Sequence, residues 1–270
     1  MKLFELRKQL KNEFASLNLE MEDVDFIVSE TLNVKRTDLT LIDEINDEQY
    51  KEIIKNITLR KNNIPVDKIF QRAYFYGLEF KVNENVLSPR PESELIVEKA
   101  IEYIKANNYK TCLDLCTGSG CLAIATKLNC DIEMTATDIS MKALSVAKQN
   151  AKNHDAEIKF IRSNMFEKIE SSFDLIISNP PYIDTDEIED LDDEVKNNDP
   201  YIALDGGEMG LKFYNIIHDN LRKHLNDNGT IIMEIGEDQK ELIVSLFNDF
   251  NLVESLKDLS GNDRVLILKK

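Results

Sequence analysis

The chain has no apolar run approaching the roughly 18 residues that a membrane-spanning helix requires. Its first residues, Met1-Lys2-Leu3-Phe4-Glu5-Leu6-Arg7, pattern as an amphipathic helix and lack the apolar core of a signal peptide. Both absences predict a cytoplasmic protein with no membrane partner. Cysteine is scarce. Cys112, Cys116, Cys121 and Cys130 form no C-x-x-C pair and have no histidine pattern beside them, which argues against zinc and against a disulfide framework. They read as small buried thiols in a reducing compartment. His154, His218 and His224 fall singly in helical stretches and read as surface or cap residues, so no metal site is expected. Positive charge is in deficit, with 33 Lys and Arg against 50 Asp and Glu and a net charge of −17. Because nucleic-acid binding depends on neutralising phosphates with Lys and Arg, this balance predicts no stable nucleic-acid partner. Residues 1–65 supply no basic patch by count, with 10 Lys or Arg against 13 Asp or Glu. What remains is a globular composition, 42% hydrophobic and 31% charged over 270 residues, long enough for two cored domains.

Residues 1–73 read as a small helical domain. Leu3, Leu6, Leu10 and Phe14 share one face; Met21, Val24, Ile27, Val28 and Leu32 form a second; Tyr50, Ile53, Ile54 and Ile57 form a third behind a cap at Asp47. Residues 74–88 change texture: a strand-like run from Tyr74 to Val82, then Asn83-Glu84-Asn85, then Val86-Leu87, reads as a β-hairpin linker. From 89 to 270 strand-like runs at 111–115, 134–138, 158–161, 173–178, 229–235 and 264–268 alternate with helical stretches, as in an α/β domain with a largely parallel sheet. A weak strand near 252–256 and the run at 264–268 are separated by too short a link for a crossover helix and should pair antiparallel. From Asp184 to Asp199 there are nine carboxylates and one lysine, which suits either a solvated loop or a rim that attracts a basic protein segment.

Two motifs carry chemistry. Asn179-Pro180-Pro181-Tyr182 follows the buried strand pattern Phe173-Asp174-Leu175-Ile176-Ile177-Ser178. Two prolines cannot continue a central strand, hold Asn179 extended and leave carbonyls free to accept. A planar NH2 group entering such a turn can donate one hydrogen to the Asn179 side-chain oxygen and one to the Pro180 carbonyl, a placement that points to amino-group methylation. Upstream, Asp114-Leu115-Cys116-Thr117-Gly118-Ser119-Gly120 joins a strand to a helix, and its glycines allow close approach of a nucleoside. With Ala123 this also satisfies G-x-G-x-x-A, so a dinucleotide site is an alternative. Asp138, about 20 residues beyond the turn, suits a ribose hydroxyl pair in either case. The absence of an arginine cluster for a pyrophosphate, together with the amine-acceptor turn, favours S-adenosylmethionine over NAD.

These residues resemble the peptide chain release factor glutamine methyltransferases, often called PrmC or HemK. The resemblance runs from the hairpin to the C-terminus. It rests on Asn85 to Glu94, the 114–120 turn, Asn179 to Tyr182, Ala203-Leu204-Asp205-Gly206-Gly207, Gly210-Leu211-Lys212-Phe213-Tyr214, Glu234-Ile235-Gly236 and Gly261-Asn262-Asp263-Arg264-Val265. It implies a seven-stranded, Rossmann-like class I methyltransferase sheet preceded by a helical substrate-recognition domain. The implied substrate is the Gly-Gly-Gln-loop glutamine of class I release factors, and the implied products are N5-methylglutamine and S-adenosylhomocysteine. The cofactor pocket would comprise Asp114, Cys116, Thr117, Gly118, Gly120, Asp138, Ile139, Asn164, Met165, Phe166 and Asn179. Within it, Asn164 and Phe166 would lie by the adenine, and Asp114 would either orient the methionine end or satisfy backbone donors. Asn179, Pro180 and Tyr182 would be catalytic, and Asn179 to Tyr182 would hold the substrate amide, with Tyr182 packed on its plane. The sequence departs from the family pattern at three places. Residues 65–72 read Pro-Val-Asp-Lys-Ile-Phe-Gln-Arg where a Pro-Ile-x-Tyr-Ile-x-Gly-like stretch is usual, Ser88 replaces an aliphatic residue, and Asn164 stands where Asp is frequent.

Two rivals make different demands. An adenine or guanine amino methyltransferase would flip its base against the same turn, and the charge balance opposes it. A non-catalytic nucleotide-binding scaffold would have no use for an intact acceptor turn. A monomer acting transiently on its partner is expected.

Overall fold

The computed structural model describes residues 1–270, which form two compact units, Met1–Arg72 with Asp193–Asn198, and Ala73–Asp192 with Asp199–Lys270. In chain order the elements begin with α1 (Leu3–Ser16), α2 (Glu22–Leu32), α3 (Asp47–Lys61), α4 (Val66–Phe70), β1 (Arg72–Phe75), β2 (Leu78–Lys81), α5 (Glu94–Asn107), β3 (Thr111–Leu115), α6 (Cys121–Asn129) and β4 (Glu133–Asp138). They continue with α7 (Met141–Asn153), β5 (Ile158–Arg162), β6 (Phe173–Ser178), α8 (Asp193–Lys196), α9 (Tyr201–Leu204), α10 (Lys212–His224), β7 (Leu225–Glu234), α11 (Lys240–Leu246), β8 (Asn251–Lys257) and β9 (Asp263–Lys269).

In the first unit the helical stripes become its core. Leu3, Leu6, Leu10 and Phe14 of α1 are all buried against Val24, Ile27 and Val28 of α2 and Ile53 and Ile57 of α3. Met21 falls outside that stripe and is exposed, because it precedes the first turn of α2. The cap of α3 is Asn46, not Asp47. The Asn46 side chain accepts from the Gln49 amide at 2.9 Å while Gln49 Oε1 accepts from the Asn46 amide at 3.0 Å, a reciprocal box that Asp47, already helical, is one residue too late to make. The single turn of α8 belongs here too: Glu194 pairs at 2.8 Å with Arg60, whose other partner is Asp23 at 2.6 Å. Part of the acidic stretch is thus a counter-ion to a buried guanidinium.

In the second unit the hairpin turns at Tyr76-Gly77, not at residues 83–85. Gly77 sits at φ +73°, a conformation glycine adopts without a Cβ clash. Phe75 and Phe80 are fully buried beside α5, so the hairpin contributes to the core of this unit. The sheet order is β5-β4-β3-β6-β7-β9-β8, with only β9 antiparallel to its neighbours. Strand side chains alternate between two layers. Leu175 and Ile177 face the core of α5 and α6, while Ile176 faces α10 and α11. Of the cysteines only Cys112 is fully buried; the other three, in the turn and at the ends of α6, are half-buried and free. His224 is likewise no surface residue, being 1% exposed at the end of α10.

Candidate active site

Chain order reverses between β3 and β6, so the loops that leave their carboxyl ends diverge and open a crevice there. Register sets its contents. Leu115 lies opposite Thr137 and opposite Ser178, and Ser178 lies opposite Met233. The next residues, Cys116, Asp138, Asn179 and Glu234, therefore emerge side by side along one edge.

A cavity of about 310 Å³ opens at that edge. Cys116, Gly118, Asp138, Ile139, Asn164, Met165, Asn179 and Pro181 line it, and Pro200, Ile202 and Ala203 form a further wall. Arg90 anchors the start of that wall through an ion pair to buried Asp199 at 2.8 Å. Asp138 accepts from the Gly118 amide at 3.0 Å and the Ser140 amide at 2.8 Å, which fixes its carboxylate at the cavity; burial raises its pKa. Cys116 and Met165, at φ +60° and +48°, hold left-handed backbone that costs a non-glycine residue free energy, and their sulfurs meet at 3.5 Å. Asn164 is tied through its amide nitrogen to Glu167 at 2.8 Å, which leaves its oxygen available.

Six of the expected pocket and turn residues, Pro180 among them, stand behind the cavity. Gly120 faces α7: a Cβ there would lie 3.1 Å from the Ala147 Cβ, so this glycine serves helix packing. Asp114 is fully buried under the turn and accepts from the Thr117 hydroxyl at 2.6 Å, so both residues brace the loop from within; burial lifts the Asp114 pKa to about 7. Phe166 stacks on His224, centroids 4.8 Å apart, because its side chain lies on the α10 side of the loop. Tyr182 is directed toward β7, where its hydroxyl donates to Glu234 at 3.2 Å.

The acceptor turn is held from both sides. Asn179 donates through Nδ2 to the Ser93 hydroxyl at 3.0 Å, and no protein donor reaches its Oδ1 or the Pro180 carbonyl. Pro180 itself is buried and forms no part of the cavity wall. Downstream, Ile183 donates to Leu204 at 3.1 Å and accepts from Gly206 at 2.8 Å, pressing Gly206 so close that a Cβ would lie 2.7 Å from the Tyr182 Cα. Gln239 donates to the Tyr182 carbonyl at 2.8 Å.

Ser93 and Glu234 were not legible as site residues in the sequence. The signals that could have found them are Pro91, which starts the helix that presents Ser93, and the position of Glu234 as the only carboxylate at the end of the apolar run from Thr230 to Ile235.

The sheet order, the glycine turn after β3 and the Asn-Pro-Pro-Tyr turn after β6 define a methyltransferase, and residues 93–208 match the methyltransferase small domain family. The solved methyltransferase of Pyrococcus furiosus shares the fold, with a TM-score of 0.55 and 19% identity over 83% of this chain and 99% of that one. The release factor glutamine methyltransferase of Thermodesulfovibrio yellowstonii is 38% identical, covering 100% of this chain and 99% of its own. That of Clostridium acetobutylicum is 37% identical over 98% and 95%. The chain belongs to the release factor glutamine methyltransferase family.

Proposed function

We propose that this protein methylates the side-chain amide nitrogen of the Gly-Gly-Gln-loop glutamine of class I peptide chain release factors. S-adenosylmethionine, the proposed donor, would supply an activated methyl group and leave as S-adenosylhomocysteine. Near-full-length similarity to release factor glutamine methyltransferases supports the substrate class. The observation that carries the chemistry is the free Asn179 oxygen at the cavity, beside a Pro180 carbonyl that also lacks a protein donor. Asp138 would hold the ribose, Ile139 and Met165 would flank the adenine with the Asn164 oxygen accepting its amine, and Cys116 and Gly118 would shape the pocket.

A carboxamide nitrogen is a poor nucleophile because its lone pair is delocalised. Acceptors at Asn179 and Pro180 would hold both of its hydrogens and so direct the lone pair at the donor. These hydrogen bonds strengthen as the nitrogen becomes cationic, so they favour the transition state over the ground state. Proton loss follows transfer, to water or a neighbouring acceptor, and needs no dedicated base. The first unit would dock the release factor. We further propose that the enzyme is a cytoplasmic monomer that meets its partner transiently; no helix is long and apolar enough to cross a membrane.

Labelled-methyl transfer to a release factor, to the same factor with its loop glutamine replaced, and to free nucleic acid tests the reading. Label should enter the first alone. In the same assay Asn179→Ala should lower turnover by about a hundredfold or more while cofactor affinity changes less than about threefold. Label entering the glutamine-replaced factor would overturn the reading.

A further inference from the structure

An asparagine amide is nearly symmetric in shape, and rotating it by a half turn exchanges an acceptor for a donor. Resting on the proposed reaction, we infer that Glu234 is the positioning residue that fixes which way the Asn179 amide faces, acting through the Ser93 hydroxyl.

The chain of contacts is short and buried. Glu234 ends β7, next to the strand that carries Asn179, and is 2% exposed. Its Oε2 accepts from the Ser93 hydroxyl at 2.5 Å, and Ser93, 3% exposed, accepts from Asn179 Nδ2 at 3.0 Å. A carboxylate only accepts. Ser93 has one proton and must commit it to Glu234, which leaves the Ser93 oxygen able only to accept toward Asn179. That requirement turns the Asn179 NH2 inward and its oxygen to the cavity. The other Glu234 oxygen takes the Tyr182 hydroxyl proton at 3.2 Å, so one carboxylate sets the polarity of two members of the acceptor turn. Burial raises the Glu234 pKa and Glu92 adds to that, while the hydrogen bonds from Ser93 and Tyr182 and the charge of Arg264 favour the ionised form; the Tyr214 hydroxyl is spent on the Glu234 main-chain oxygen at 2.8 Å.

Glu234→Gln replaces an acceptor with a group that also donates, so Ser93 can accept from it and donate to Asn179 instead. Turnover should fall by about tenfold or more, with KM for the release factor and cofactor affinity both within about threefold, because docking and cofactor binding do not depend on the amide's direction. Ser93→Ala should fall by a similar factor. The double variant Ser93→Ala/Glu234→Gln should fall no further than Ser93→Ala alone, since the second change has lost its route. In asparagine-labelled protein without ligands, the Asn179 side-chain amide resonance should move in Glu234→Gln, a readout independent of transfer. Multiplicative losses in the double variant, full turnover in Glu234→Gln, or an unmoved resonance would overturn the inference. Wild-type protein that transfers no methyl to the release factor overturns the proposed function instead, and the resonance test still decides the polarity of the network.

Discussion

Asp114 shows how a single buried group imprints a pH dependence on stability. Its carboxyl has no exposure, one hydroxyl donor and a pKa raised from 3.8 to about 7. Between those values the folded protein retains a proton that the unfolded chain releases, so this group's contribution favours folding at low pH and is lost as pH rises through the window. Asp114→Asn keeps the acceptor for Thr117 and removes the charge. Denaturant midpoints measured at about pH 5 and about pH 8 should show the variant gaining on wild type as pH rises; equal pH slopes would mean that Asp114 stays ionised throughout. Asn179 makes a different point at the same scale. Its importance was legible because proline is so restrictive that two in succession after an apolar strand admit few structures. Its orientation was not legible, since it depends on Ser93 and Glu234, which lie 86 and 55 residues away and meet it only once β6 and β7 pair.

At the level of elements, legibility followed periodicity. The strands from 111–115 to 264–268 and the helices between them were readable because alternation and helical spacing are local, and the antiparallel end followed from a link too short to cross over. Turns and caps were harder. Placing the α3 cap required knowing that Gln49 returns to Asn46, and the hairpin turn was hidden because Tyr76 takes φ +50° beside Gly77, a conformation no propensity assigns to tyrosine. Phe166 was misplaced because a loop side chain's direction depends on what it packs against, here His224. The glycine-rich blocks after the acceptor turn now have a physical role: they let its backbone lie flush. Gly210 sits at φ +66°, and a Cβ there would collide with the Tyr182 carbonyl and the Gln239 amide. Gly210→Ala should lower kcat/KM by about tenfold or more while the protein still folds, as checked by circular dichroism and steady-state kinetics. In the first unit, Gln71 ends α4 at φ +53°, left-handed backbone that favours glycine. Gln71→Gly should therefore stabilise the protein by about 1 kcal/mol in chemical denaturation; a loss would mean that the Gln71 side chain's contacts outweigh the backbone strain.

For the molecule as a whole, the charge balance of −17 sets the character of its encounters. Non-specific binding to nucleic acid is largely phosphate neutralisation, with dissociation constants of about 10⁻⁴ to 10⁻⁶ M for proteins built for it. This chain should bind duplex or single-stranded oligonucleotides more weakly than that range at physiological salt, as fluorescence anisotropy would report. Micromolar binding would reopen the base-methylating alternative. Net charge was readable by counting, whereas the fate of the acidic stretch was not, because pairing Glu194 with Arg60 joins residues 134 positions apart.

The return of residues 193–198 to the helical unit bears on how this protein can be dissected. Expressing residues 1–72 alone would strip Arg60, only 7% exposed, of one of its two anions and leave its guanidinium with Asp23 as its single counter-ion. The polypeptide passes between its units three times, so no single cleavage yields either of them whole. Stripping away the amino-terminal helices would also unmoor the stretch that follows the acceptor turn, since residues 193–198 belong to the same unit.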